Sequence, residues 1–341
     1  GMDLSVVDLS PVPDDGTATE AFANTVRAAR QAERLGFERF WVAEHHGMAD
    51  SLAGTTPEVL LGHLAAETDS IRLGSGAVLL NHYSPFKVAE WFGVLDALAP
   101  GRIDAGLGRA NGSPATDRAL GTDRYVQDPD EDHAEKVEAV VNHLYDDYPE
   151  DHPYDDLTIP RSDGGTPDPW VLGSSPSSAA IAGELGLPYC FAAFIRPQFA
   201  TRAFEEYREG FRSSRLAGGV DEPRGMVAVN AVCGETDEEA ARLRAVAEAS
   251  YERMRRGVVG TRPSIEEAID ELGGVPDPTP STLDHDEWPR AISGSPETLA
   301  GLLDGLADRV GVEEVMIQHV VGDHGDALRS HELLAEGVGI A

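Results

Sequence analysis

Lysine is almost missing from this chain. Only Lys87 and Lys136 occur among 341 residues, so nearly all of the 27 basic residues are arginine, set against 60 aspartates and glutamates. No basic stripe is available to neutralise phosphates, which argues against nucleic acid as a partner. The same shortage argues against an anionic membrane surface. Cysteine is also scarce. Cys190 and Cys233 lie in apolar, strand-like surroundings without metal or redox spacing, and read as buried thiols rather than a disulfide. No run of about 18 apolar residues is present to cross a bilayer, and no signal peptide is recognised. A soluble, cytoplasmic protein is therefore expected. Gly1, ahead of Met2, reads as the remnant of an added tag. The Gly-rich turn that opens a dinucleotide-binding sheet is absent too, since the first apolar strand runs into Asp8-Leu9-Ser10-Pro11-Val12-Pro13.

What is abundant is acid. The formal net charge is −33. Acid excess with lysine depletion suggests a halophilic protein, because at about 1 M salt the Debye length is roughly 3 Å and the surface repels itself little. An acidic protein adapted to ordinary salt is the alternative.

Short apolar strands alternate with amphipathic helices, the rhythm of a parallel sheet. Strands are expected at Leu4–Leu9, Arg39–Ala43, Ile71–Leu80, Ile103–Leu107, Trp170–Leu172, Pro188–Ala193, Met226–Val232 and Glu314–Val320. Helices are expected at Thr19–Leu35, Thr56–Thr68, Pro85–Leu98, Phe199–Leu216, Glu238–Arg256, Pro296–Arg309 and Asp326–Glu336, with another ending at Leu185. Eight strands with helices between them favour a single-domain (β/α)8 TIM barrel over an open sheet. Two acidic, Pro- and Gly-rich stretches interrupt it, at about 146–168 and 257–293. The first reads as a surface insertion. The second lies where a mobile lid over a barrel mouth would sit.

Polar residues gathered at the C-terminal ends of strands are what a barrel active site requires. Phe40-Trp41-Val42-Ala43 ends in Glu44-His45-His46. Adjacent residues on an extended strand face opposite sides, so His45 and His46 are poor joint ligands for one metal. His82 and His319 are conceivable further ligands, and a hydrogen-bonded core histidine is the plainer alternative. In Gly74-Ser75-Gly76-Ala77, small residues suit either a ligand lying close to the backbone or simple barrel packing. Gly106-Leu107-Gly108-Arg109 offers close backbone approach and a guanidinium fork for phosphate, although a plain turn has the same composition. Gly173-Ser174-Ser175-Pro176-Ser177-Ser178 combines hydroxyls with a helix N-terminus, an anion site beyond what one capping serine requires.

Taken in this order, with Gly294-Ser295-Pro296-Glu297 before the last but one helix, these motifs resemble the bacterial luciferase-like flavin-dependent monooxygenases over about Leu4 to Leu334. The resemblance implies FMN as cofactor, reduced by a separate NAD(P)H:flavin reductase, with O2 and a small organic substrate as reactants. It implies a homodimer and no metal. His45 would act in acid–base steps, with Glu44 orienting its neighbours. A cis peptide at Gly76–Ala77 would lie beneath the flavin ring. Arg109, Ser174, Ser175 and Ser178 would hold the phosphate. Gly108 stands where luciferase itself has a reactive cysteine, and Asp128 stands where it has a second phosphate arginine, for which Arg118 or Arg124 is a candidate replacement. An F420-dependent oxidoreductase of the same fold and a non-catalytic flavin-binding protein are the alternative readings.

Overall fold

The computed structural model describes residues 2–258, 260–278 and 288–341. Ten strands run through it: β1 (Asp3–Asp8), β2 (Arg39–Val42), β3 (Arg72–Ser75), β4 (Val78–Leu79), β5 (Ile103–Gly108), β6 (Asp168–Gly173), β7 (Tyr189–Ala192), β8 (Gly225–Cys233), β9 (Ala291–Gly294) and β10 (Glu314–Gln318). All pairings between them are parallel. The last strand pairs with both β1 and β8, which closes β1, β2, β3, β5, β6, β7, β8 and β10 into an eight-stranded barrel. The helices are α1 (Ala18–Leu35), α2 (Pro57–Glu67), α3 (Pro85–Leu98), α4 (Pro114–Leu120), α5 (Pro129–Tyr145), α6 (Pro176–Leu185), α7 (Ala200–Glu209), α8 (Asp237–Arg255), α9 (Ile265–Leu272), α10 (Pro296–Val310) and α11 (His324–Val338). This is the (β/α)8 TIM barrel that the sequence rhythm predicts.

Helix starts follow local chemistry. Ser84-Pro85, Ser113-Pro114, Asp128-Pro129, Ser175-Pro176 and Ser295-Pro296 each place a capping oxygen on a backbone N–H two or three residues into the helix, with proline where no N–H is needed. Three expectations change. Strand three does not run unbroken to Leu80: it stops at Ser75, resumes for two residues as β4, and passes into a 3-10 turn at Leu80–His82. The helix after β7 ends at Glu209 rather than Leu216, because Gly210 closes it. The stretch 257–293 is not irregular throughout, since it holds α9 and also β9, which pairs with β8. Residues 279–287 of that stretch, the centre of the expected lid, lie outside the described residues.

Alternation along the strands builds two cores. Leu4, Val6, Phe40, Val42, Leu73 and Ile317 face the helices. Val7, Trp41, Trp170, Cys190, Met226, Ala228 and Met316 face inward and fill the barrel. Trp41 and Trp170 meet edge to face, with ring centres 6.0 Å apart. Gly74 makes room for this, because a Cβ there would lie 2.5 Å from the Trp41 ring. Below the tryptophans, at the N-terminal end, the barrel is plugged by charge. The Arg39 guanidinium donates to Asp104 at 3.2 Å and to Glu314, while Arg72 reaches Asp104 at 2.9 Å and Asp168 at 3.0 Å. Burial works against the charge on Arg39, but Asp104 and Glu314 outweigh it and hold its pKa above the ordinary value. Both cysteines are free and buried.

A second polar chain ties α11 to α1 and to the outer side of the barrel. Gln31 Nε2 donates to the Leu328 carbonyl at 2.9 Å, so its Oε1 is the acceptor facing His331 Nδ1 at 3.1 Å. His331 Nε2 then meets His319 Nδ1 at 3.0 Å, His319 Nε2 meets the Ser330 hydroxyl at 2.7 Å, and Ser330 Oγ accepts from Cys233 N–H at 2.9 Å. Burial lowers the pKa of His331 to about 3 and that of His319 well below its usual value. A histidine lowered in this way contributes stability that is fully present above its unfolded-state pKa of about 6.5 and is lost as pH falls toward the folded value. Glu44 and Glu314, raised by burial, act in the opposite sense. The informative quantity is therefore the stability gap between wild type and His331→Gln, measured by urea unfolding. It should narrow from pH 7 to pH 4, and a constant gap would show that His331 does not titrate on unfolding.

The surface supplies its own test. With a net charge of −33, raising salt from about 0.1 M to about 2 M should raise the melting temperature as screening shortens. A flat or falling trend would reject the halophile reading.

Candidate functional site

Inward positions at the C-terminal ends of the strands are small: Ala43, Gly76, Gly108, Ala192 and Ala228. The barrel therefore stays open there, and a cavity of about 1540 Å³ occupies the mouth. Glu44, His45, Gly76, Ala77, Arg109, Ser174, Ser175 and Ser178 all line this one space, although they come from four different strand ends.

The Gly76–Ala77 peptide bond is cis. It sits between the short β3 and β4, and Gly76 and Gly108 leave the surrounding wall bare. A Cβ at Gly108 would meet the Ala77 Cβ at 3.1 Å and the Leu172 carbonyl at 3.2 Å. Gly106 answers to the barrel itself, since a Cβ there would fall 1.8 Å from the Ser75 carbonyl oxygen.

Just past β2 the chain turns so that Glu44 and His45 part company. Glu44 is buried, and its carboxylate accepts from His46 Nε2 at 2.6 Å, from the Tyr83 hydroxyl at 2.8 Å and from Leu79 N–H at 3.3 Å. Burial raises its pKa, and these donors oppose the rise. The neighbouring side chains that Glu44 holds are His46 and Tyr83. His45 lines the cavity with a buried Nδ1 that has no hydrogen-bond partner. Burial first, and the His46 charge second, lower its pKa, so at neutral pH the ring is neutral. His82 is tied to the Thr122 hydroxyl, and His319 belongs to the chain with His331. Among the described residues no three metal-ligating side chains cluster.

On the opposite rim Arg109 donates to the Pro129 carbonyl at 2.8 Å, pairs with Asp130, and reaches the Ser177 hydroxyl at 3.4 Å. Ser177 in turn bonds Ser175 Oγ at 2.9 Å, while Ser175 caps α6. The Ser178 hydroxyl is already engaged, with the Ser175 carbonyl at 2.7 Å and the Tyr189 hydroxyl at 2.8 Å. Arg109, Ser174, Ser175, Ser177 and Ser178 thus line one wall of the cavity, with the Ser178 hydroxyl turned to the Ser175 carbonyl and Tyr189. Neither candidate for the second phosphate arginine lies on the cavity. Arg118 is exposed, and Arg124 pairs with Asp117 at 2.8 Å. The residue that does stand beside Arg109 is His133, buried on α5, with its pKa lowered to about 3 by burial and then by the charges of Arg109 and Lys136.

Sequence reasoning missed Tyr83, Ser177 and His133. Ser177 lay within the serine run, and Tyr83 directly follows the polar end of strand three. For His133, the Asp128-Pro129 start marks the helix that carries it but not its place beside the cavity.

A closed parallel barrel with a cavity at its C-terminal mouth, arginine and serine side chains on one wall and a histidine nitrogen without a partner on another has the architecture in which barrel enzymes place their sites. A profile of luciferase-like monooxygenases matches residues 2–313, and the chain belongs to that family. It is 35% identical over 338 residues to an N-acetyl-S-alkylcysteine monooxygenase of Bacillus subtilis, covering 98% of both chains. The crystal structure of apo-MsnO8 superposes with a TM-score of 0.88 at 38% identity, covering 100% of this chain and 99% of that one. The fold alone is shared with two more distant proteins. One is the oxygenating constituent of 3,6-diketocamphane monooxygenase from Pseudomonas putida in complex with FMN (TM-score 0.70, 21% identity, 99% of this chain and 97% of that one). The other is an F420-dependent secondary alcohol dehydrogenase (0.67, 16%, 99% and 98%).

Proposed function

We propose that this protein is an FMN-dependent monooxygenase that uses reduced FMN and O2 to oxidise a small organic substrate, with the reduced cofactor delivered by a separate NAD(P)H:flavin reductase. The observation that carries the reading is one cavity lined together by Arg109 and the serines before α6, by Gly76, Ala77 and Gly108, and by His45, whose Nδ1 has no partner. These residues fit FMN. Arg109 with Ser174, Ser175 and Ser177 would hold its phosphate. Gly76, Ala77 and Gly108 would let a flat ring lie against the backbone. Bound there in reduced form, FMN would supply the activation of O2. The protein's part is to bind, to orient and to keep water out. His45, kept neutral by burial, has one ring nitrogen free to accept a proton and the other to donate one. Glu44, itself held by the Tyr83 hydroxyl, holds the adjacent His46 in place.

The family resemblance and the relative's named activity support oxygenation, and thioethers of N-acetylated cysteine are the first substrates to screen. An F420-dependent hydride transfer on the same barrel is the second reading, favoured by the shared fold. The deciding experiment titrates the purified protein with FMN and with F420, then measures oxygen uptake with chemically reduced FMN in the presence of the substrate panel. Tight FMN binding with substrate-dependent uptake is expected. Selective F420 binding without uptake would overturn the proposal, and FMN binding without any uptake would leave a flavin-binding protein.

A further inference from the structure

The cavity is larger than one bound molecule needs. Ligand sites usually measure about 300–1,000 Å³, against about 1540 Å³ here. Away from Arg109 and the serines it continues along β7, β8 and β10, past Asn230 and Gln318, to a wall that includes residues 260–263 and 289–290. That wall carries Arg262 and Arg290.

Neither arginine is matched by a carboxylate among the described residues. Arg262 is half-buried and spends one N–H on the His319 carbonyl at 3.2 Å. Arg290 donates to the Phe194 carbonyl at 2.8 Å and the Ile195 carbonyl at 3.1 Å, and its guanidinium lies 4.0 Å over the Tyr251 ring. The acids that share this lobe are committed elsewhere. Glu248 holds Arg244 at 3.1 Å and Glu252 holds Arg255 at 3.0 Å, each within α8. Asp8 favours the charge of Arg262 from across a smaller neighbouring cavity, but it forms no ion pair with it. Burial lowers the pKa of Arg262 to about 10, the response of a cation that lacks a sufficient counter-charge.

Among the described residues, no carboxylate forms an ion pair with either half-buried arginine on this wall, which leaves both guanidinium groups able to receive an anionic ligand. We infer that Arg262 and Arg290 form an anion subsite for the organic substrate, and that the substrate class is a small carboxylate whose oxidisable part points back toward His45. This rests on the reading of the cavity as an oxygenase site. Stacking of Arg290 on Tyr251 fixes one guanidinium plane, so the subsite is preorganised rather than formed by flexible side chains.

The test uses matched probes that differ by one charge, N-acetyl-S-methylcysteine and its primary amide, titrated calorimetrically into the flavin-free full-length protein at fixed ionic strength. The carboxylate should bind at least about tenfold tighter than the amide, the scale of one charged hydrogen bond. That ratio should fall toward one in Arg262→Gln and in Arg290→Gln, while FMN affinity stays within about twofold of wild type. The circular dichroism spectrum of each variant checks that the barrel persists, and Arg262→Lys, which keeps the charge, should retain most of the preference. Equal binding of the two probes, no carboxylate-selective binding at all, or a preference that survives both substitutions would each overturn the inference. Loss of FMN affinity in the variants would also overturn it, by assigning the arginines to the cofactor. Because the measurement is made without flavin, its failure leaves the oxygenase proposal standing, and failure of oxygen uptake leaves the carboxylate subsite standing.

Discussion

Replacing His45 with alanine is expected to lower substrate-dependent oxygen uptake about 100-fold or more, the usual scale for a lost acid–base group, while FMN affinity changes little. His45 contributes an imidazole that nothing in the protein engages through Nδ1, so its removal frees no partner and opens no ion pair. His46→Ala is a different experiment. It strips Glu44 of its 2.6 Å donor and leaves a buried carboxylate with only the Tyr83 hydroxyl and the Leu79 N–H. Unpairing a buried charged group costs about 1–3 kcal/mol or more, so this variant should lose stability, and turnover only as a consequence. Steady-state rates beside urea midpoints separate the two. If His46→Ala abolished turnover at unchanged stability while His45→Ala remained active, the assignment of the two histidines would be reversed.

Arg109→Ala should weaken FMN binding by about 1.5–3 kcal/mol, the worth of a charge-assisted hydrogen bond, or roughly tenfold to 150-fold in Kd. The geometry adds a second arm. Arg109 is paired with Asp130, which competes with an incoming phosphate for the guanidinium and repels it as well. Asp130→Asn should therefore tighten FMN binding, most clearly at low salt where repulsion is least screened. Fluorescence titration of both variants at matched ionic strength is decisive. Unchanged affinity in Arg109→Ala would move the phosphate elsewhere in the cavity.

The barrel was legible because its signals are local and repeated. Each strand is a short apolar run and most helices between them are amphipathic, although α4 and α5 were not expected despite their Ser113-Pro114 and Asp128-Pro129 starts. The expected site residues were legible as types at strand ends, and the structure brings them to one cavity. What stayed hidden depends on contacts distant in sequence. Ser178 resembles a phosphate ligand until Tyr189, packed behind it, takes its hydroxyl. Which neighbours Glu44 would hold could not be read, because the turn after β2 brings His46 and Tyr83 to it. His133 approaches Arg109 only because α5 folds back over the rim. The break in strand three was unreadable for a related reason, since alternation alone predicts that Ile71–Leu80 continues as one strand.

The chain of polar groups from Gln31 to Cys233 has a polarity that one amide sets. Because the Gln31 NH2 is turned toward Leu328, each later group is left with a single way to point: His331 and His319 each carry their proton on Nδ1, and Ser330 gives its own to His319. The first helix and the last are thereby fastened like the two halves of a clasp, through residues roughly 300 positions apart. Opening either helix means reorienting every group at once, so the two ends of the chain are coupled as one cooperative unit. The Cys233 amide, at the far end of the clasp, is where slow hydrogen exchange would report that the fastening holds.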